Sequence, residues 1–120
     1  MHNQMSRNVV KTAEVIKVDV KNPAKENLGN IEEIMLDKLS GRVAYVVLAS
    51  GGFLGMGEKY FALPWHSLHF DINENCFILN VDKEKIKNAP GFDKDNWPDM
   101  ADRQWGQKVF DYYGTKPYWE

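Results

Sequence analysis

The sequence predicts a mainly β protein of about six strands, followed by a helical C-terminal extension. Three observations favour this fold class. Residues 42–50 form an apolar run rich in β-branched side chains, turn-forming residues flank that run, and the apolar period changes after residue 82. Short apolar runs between turns are typical of strands, and a change of period marks a different kind of element.

The clearest predicted strand spans residues 42–50. Two alternating sets of side chains in it are both apolar: Val43, Tyr45 and Val47 on one side, and Ala44, Val46 and Leu48 on the other. A strand of this kind is covered on both faces. A buried helical segment is the competing interpretation, because a short apolar run does not fix the period. The β-branched and aromatic side chains favour the strand.

A glycine-rich segment, Gly51 to Gly57, leads from this strand to a second one that Pro64 ends. The segment does not fit a phosphate-binding loop, because Glu58 occupies the position at which such loops carry lysine. We interpret it as a long hairpin loop whose glycines relieve backbone strain. Three apolar residues at its tip either cap the core or bind a partner. They are Phe53, Leu54 and Met56.

Three other segments complete the predicted β region. Thr12 to Lys21 alternates apolar and charged residues, as a half-buried strand does. Leu28 to Leu36 is ambiguous, and its pattern alone favours a helix. Cys76 to Leu79 closes the region after a turn at Asp71 to Asn75, and Cys76 is interpreted as a small core residue.

Two helices are predicted after the β region. Asp82 is suited to cap a short helix over Lys83 to Asn88. The stronger pattern spans Asp99 to Tyr113, with Asp99 as the N-cap candidate and Gly114 at the position where a left-handed glycine ends a helix. Gly106 inside this helix indicates either close packing or a frayed middle.

Composition limits the classes of function. A chain of 120 residues with a net charge of −2 fits one domain and has no general attraction for nucleic acid or anionic membranes. Cys76 is the single cysteine, which fits a reducing cytoplasm, and no apolar run predicts membrane insertion. His66 and His69 fall in or near a strand, on opposite faces, so no metal site is expected. No cofactor motif is present, and no cofactor is expected.

The order of several short motifs resembles that of the PRC-barrel family. The matching residues are Gly29, Asp37, Gly41, Arg42, Tyr45, Gly51, Gly52, Pro64 and Trp65. This domain is shared by the H subunit of the bacterial photosynthetic reaction centre and the C-terminal part of a 16S ribosomal RNA maturation factor. The resemblance implies a small β-barrel of about six strands, with Leu28 to Leu36 as a strand bulged near Glu32 and Glu33.

The resemblance also implies a division of the chain. We expect a flexible N-terminal arm over residues 1–11, the barrel over residues 12–90, and an extension over residues 91–120 like that of stand-alone bacterial members. The extension is rich in aromatic residues, so it is expected to pack on the barrel or on a second copy of the chain, giving a homodimer. Its candidate partner surface comprises Trp97, Trp105, Tyr113, Tyr118 and Trp119.

Three functions are compatible with these patterns. The favoured one is a non-catalytic module for protein binding or assembly, which uses the loop tip or the aromatic extension. The second is RNA-related or ribosome-related binding, by analogy with the maturation factor. The third is an enzyme or small-ligand carrier with a pocket near Tyr45 and Trp65, which Asp37, Glu58 and His66 would also line.

Overall fold

A computed structural model of the chain describes residues 8–50 and 58–120. Seven strands and two α-helices form within these residues. The strands are β1 (Asp19–Lys21), β2 (Asn27–Asp37), β3 (Arg42–Ala49), β4 (Tyr60–Leu63), β5 (Leu68–Asp71), β6 (Cys76–Leu79) and β7 (Gly91–Phe92). The helices are α1 (Lys83–Lys87) and α2 (Arg103–Tyr113), and short 3₁₀ helices span Thr12–Glu14 and Trp65–Ser67.

The seven strands form one sheet in the order β5-β6-β1-β2-β3-β4-β7. All neighbouring pairs are antiparallel except β1 and β6, which run parallel. Within the described residues, no pairing joins the outer strands β5 and β7. The mainly β prediction with a C-terminal helix is therefore confirmed, but the expected barrel of about six strands is an unclosed sheet of seven.

Strand β2 resolves the ambiguous segment in favour of β structure. Its pairing with β3 shifts between Ile31 and Glu33, so Glu32 is an extra residue in the strand. The predicted bulge is confirmed at this position. A bulge moves the following side chains to the other face, which is why the apolar pattern of the segment resembled that of a helix.

The predicted strand over Thr12 to Lys21 is wrong for most of its length. A 3₁₀ helix occupies Thr12–Glu14, and only Asp19–Lys21 pairs in the sheet. Val15, Ile16 and Val18 nevertheless pack against the core. Alternating apolar residues here mark contacts made by an irregular segment rather than by a strand.

Strand β3 is buried on both faces, as its two apolar sets predict. Val46 and Leu48 belong to an inner core together with Phe61 and Leu63 of β4. Tyr45 and Val47 belong to a second apolar cluster on the opposite face, with Phe110 of α2. The C-terminal extension thus packs on the sheet of its own chain.

Helix α2 begins later than its sequence predicts. The Asp102 carboxylate accepts a hydrogen bond from the Gln104 backbone N–H at 2.9 Å, so Asp102 is the N-cap. Asp99 accepts instead from the Ala101 backbone N–H at 3.0 Å and stabilises the turn before the helix. Gly114 ends the helix with φ of 67°, as predicted. Asp82 caps α1 through the Lys85 backbone N–H at 2.8 Å.

Candidate functional site

Tyr45 lies at the centre of the contact between the sheet and the extension. Its side chain is fully buried on the outer face of β3. Three rings of the extension surround it at centroid distances of 5.3 to 5.6 Å: Trp105, Phe110 and Tyr118. Aromatic pairs at these separations are favourable beyond their buried area. We call this arrangement the aromatic face.

Gly106 brings α2 close to Tyr45. A Cβ atom at this position would overlap the Tyr45 hydroxyl and would lie 3.1 Å from the Trp119 ring. Glycine therefore permits the helix backbone to contact the aromatic face directly. Of the two interpretations of Gly106, the structure supports close packing.

Arg42 links the β2–β3 hairpin to the extension. Its guanidinium donates hydrogen bonds to the backbone oxygens of Tyr118 at 2.9 Å and Glu120 at 3.2 Å. The Ser40 hydroxyl, in the same hairpin, donates to the Asp37 carboxylate at 2.6 Å, which is the first cause of the lowered pKa of Asp37. These contacts give two of the family-motif residues, Asp37 and Arg42, a structural role in the hairpin.

Two tyrosine hydroxyls are buried in this region without a hydrogen-bond partner among the described residues. They belong to Tyr45 and Tyr113. Burial is the first cause that raises the pKa of each phenol well above its ordinary value of 10.0. Both side chains therefore stay neutral over the physiological pH range and contribute as packed rings.

Trp65 lies on the other side of the sheet from Tyr45. Its ring contacts Phe77, with centroids 5.9 Å apart, and packs against the inner core. Since Tyr45 faces the outer cluster, the two side chains do not line a common pocket. The prediction of a pocket near Tyr45 and Trp65 is wrong for this reason. A groove of about 560 Å³ lies instead beside α1 and Tyr112.

Several large apolar side chains are exposed at the ends of the sheet. Leu36 and Leu39, in the β2–β3 hairpin, are 61% and 92% exposed. Phe70 and Ile72, at the end of β5, are 46% and 50% exposed. The sequence did not mark Leu36 and Leu39 as candidates, because their positions are those of a strand and the turn that follows it. An apolar residue inside a polar turn, as in Lys38-Leu39-Ser40, is the signal that could have found Leu39.

Two further candidate residues, Gly29 and Trp97, have roles in packing, and the candidates in the glycine-rich loop lie outside the described residues. Gly29 has φ of 141°, and a Cβ atom there would overlap the Ala49 carbonyl oxygen, so this family-motif glycine is required by close backbone packing. Trp97 contacts Phe92 and Tyr60 at centroid distances of 5.1 and 5.8 Å. The predictions for the loop concern residues that lie outside the described ranges: Gly51, Gly52, Phe53, Leu54 and Met56.

A known protein family matches most of this chain. The sequence model of the PRC-barrel domain matches residues 7–86, about two thirds of the chain. The chain belongs to the PRC-barrel family. The resemblance to this family that the sequence motifs indicated is therefore confirmed. A search of curated proteins finds no match.

The remaining features concern ion binding, thiol chemistry and membranes. Across residues 8–50 and 58–120, no three side chains of His, Cys, Asp or Glu come close enough together to hold a metal ion. Cys76 is buried, and burial is the first cause that raises the pKa of its thiol. The helices of the described part of the chain are all too short or too polar to span a bilayer.

Proposed function

We propose that this PRC-barrel protein is a non-catalytic module for protein binding and assembly. The observation that carries the proposal is the pair of exposed leucines in the β2–β3 hairpin, Leu36 and Leu39. Apolar side chains of this size bury readily against another protein, at roughly 25 cal/mol per Å² of apolar area removed from water. A hairpin that presents two of them within four residues is suited to a protein partner.

The hairpin is a firm support for these leucines. The Asp37 carboxylate accepts from the Leu39 backbone N–H at 3.2 Å and from the Ser40 hydroxyl at 2.6 Å. Arg42 ties the following strand to the extension through the Tyr118 carbonyl. A surface held in one conformation before binding loses less conformational entropy when a partner docks.

The packing of the sheet favours a binding module over a ligand carrier. Apolar side chains of the chain fill both faces of β3, and the extension covers the outer one. Tyr45, which the carrier hypothesis placed in a pocket, is fully buried. A small molecule at this position would have to displace the rings of Trp105, Phe110 and Tyr118.

The two other hypotheses find weaker support. A homodimer through the extension could include Tyr45 only if the extension were exchanged between copies, since Tyr45 is covered by its own chain. RNA-related binding would use the lysines of α1, but the Lys85 ammonium lies 4.2 Å from the Tyr112 ring centroid. Glu84 and Asp82 further reduce the positive charge of that helix.

Site-specific photo-crosslinking in cells tests the proposal. A benzophenone amino acid at Leu39 should give a discrete protein adduct, while the same group at exposed Lys108 of α2 should not. Adding Leu36→Ser should weaken the Leu39 adduct, because it removes apolar area from the same surface. Purifying the adduct partner and measuring its affinity for the unmodified chain then confirms binding. Equal labelling from Leu39 and Lys108 would refute the proposed surface.

A further inference from the structure

Residues 115–120 fold back along helix α2, and we call them the strap. Gly114, with φ of 67° and open space around its Cα, lies between the helix and the strap. The Thr115 backbone N–H donates to a carbonyl in the last turn of α2 at 3.0 Å. Trp119 lies beside the first turn, where the Arg103 guanidinium is 5.1 Å from its ring centroid. The strap therefore runs antiparallel to the helix.

The strap is attached to the sheet by side-chain contacts alone. Its backbone hydrogen bonds within the described part of the chain are local: that of Thr115 to α2, and that of the Glu120 N–H to the Pro117 carbonyl at 3.2 Å. The Tyr118 ring packs on the Tyr45 ring, with centroids 5.6 Å apart. Since none of these contacts belongs to a strand ladder, the strap can lift while the sheet stays paired. Local opening of this kind requires less free energy than global unfolding.

Arg42 connects the strap to the β2–β3 hairpin. Its guanidinium donates to the backbone oxygens of Tyr118 at 2.9 Å and Glu120 at 3.2 Å. No other hydrogen bond among residues 8–50 and 58–120 joins the strap to this hairpin. Arg42 directly follows the turn in which the Asp37 carboxylate accepts from the Leu39 backbone N–H. One side chain thus links the strap to the exposed leucines of the hairpin.

We propose that the strap regulates the binding surface formed by Leu36 and Leu39. When the strap is closed, it holds Arg42, and the hairpin stays in the conformation that presents the two leucines. When the strap opens, the hairpin samples more conformations, so a partner loses more entropy on docking. The effect is reciprocal, because a partner bound to the hairpin favours the closed strap. This regulation rests on the proposed function, since it concerns the same surface.

Hydrogen exchange at the Gly41 amide tests the link without a partner. Its bond to the Asp37 carbonyl at 2.8 Å closes the hairpin. Trp119→Ala removes ring packing from the strap and should speed Gly41 exchange by at least about fivefold. Trp97→Ala is the matched control, because this ring packs on Phe92 of β7 instead of on the strap. An unchanged rate in Trp119→Ala, or equal acceleration in both variants, would overturn the proposal.

Substitution of Arg42 tests the route of the coupling. Arg42→Met removes both hydrogen bonds to the strap and should speed Gly41 exchange about as much as Trp119→Ala does. Lys38→Met removes another exposed cation from the same turn and should leave the rate unchanged. Adding Arg42→Met to Trp119→Ala should produce little further acceleration, because both substitutions act through the strap. Fully multiplicative effects would show that the two residues act separately and would overturn the coupling.

Photo-crosslinking from Leu39 tests the effect on binding. Trp119→Ala should lower the yield of the protein adduct by at least about threefold, and Trp97→Ala should leave it unchanged. An equal yield from the Trp119→Ala variant and the unmodified chain would overturn the regulation. The absence of any adduct from the unmodified chain would overturn the proposed function and this regulation with it. The exchange rates at Gly41 would still show whether the strap and the hairpin are coupled, so the two failures are distinguishable.

Discussion

The packing of Gly106 against the aromatic face yields a prediction whose sign is opposite to that of an ordinary helix. At an exposed helical position, Gly→Ala stabilises a protein by about 1 kcal/mol. In α2, the added Cβ atom would overlap the Tyr45 hydroxyl and press on the Trp119 ring at 3.1 Å. Gly106→Ala should therefore destabilise the fold.

The magnitude follows from how little the neighbours can move. Tyr45 is fully buried between Trp105, Phe110 and Tyr118, so its ring cannot rotate away without displacing theirs. Overpacking of a tight core costs about 1–3 kcal/mol, and the upper part of that range applies here. Subtracting the helix-propensity gain of about 1 kcal/mol leaves a net loss of about 1–2 kcal/mol. A domain of this size then melts roughly 4–8 °C lower.

A double-mutant cycle with Tyr45→Phe isolates the cause. The Tyr45 hydroxyl is buried without a hydrogen-bond partner among the described residues, so its removal should leave the melting temperature unchanged or raise it. In the Tyr45→Phe background, the cost of Gly106→Ala should largely disappear, because the overlapping oxygen is gone. Thermal unfolding followed by circular dichroism measures all four proteins. A higher melting temperature for the single Gly106→Ala variant, or the same cost in both backgrounds, would refute this reasoning.

Three further predictions concern backbone packing, the extension and the buried phenols. Gly29→Ala should cost at least about 3 kcal/mol in denaturant unfolding, whereas Gly41→Ala, also at positive φ but in open space, should cost about 1 kcal/mol; similar costs would contradict the backbone overlap. A chain ending at Pro90 should bind a hydrophobic dye and self-associate in native mass spectrometry, because the aromatic face is uncovered; a dye-free monomer would contradict this. In an ultraviolet titration, Tyr45 and Tyr113 should stay un-ionised above pH 10.0 until the protein unfolds. The free energy of unfolding should fall as the pH rises beyond 10.0, because these two phenols ionise readily only in the unfolded chain.

The sequence predicted the elements whose local pattern and final environment agree. Strand β3 is apolar on both sides because both of its faces are covered, and this can be read directly from Arg42–Ala49. Strand β2 could not be read in this way, because the extra residue Glu32 interrupts the alternation. The segment before β1 was wrongly predicted as a strand for a related reason, since Ile16 and Val18 contact the core from an irregular segment.

The features that could not be predicted from the sequence depend on contacts between distant parts of the chain. Strands β1 and β6 pair in parallel, with Val20 opposite Phe77, and no local sequence pattern predicts this pairing. That contact makes β5 an outer strand and leaves Phe70 half exposed. The aromatic content of the extension predicted that it docks somewhere. That α2 contacts Tyr45 directly at Gly106 could be seen only in the structure.

The covering of β3 by the extension has a consequence during protein synthesis. The outer face around Tyr45 is made well before residues 91–120, which supply the rings that cover it. At about 5–20 residues per second, translating those thirty residues takes roughly 2–6 s. For that interval, a nascent chain that has already paired strands β1 to β6 presents an uncovered apolar face to solvent or to a chaperone. Slow codons within residues 91–120 would prolong this exposure and should increase aggregation of the newly made chain.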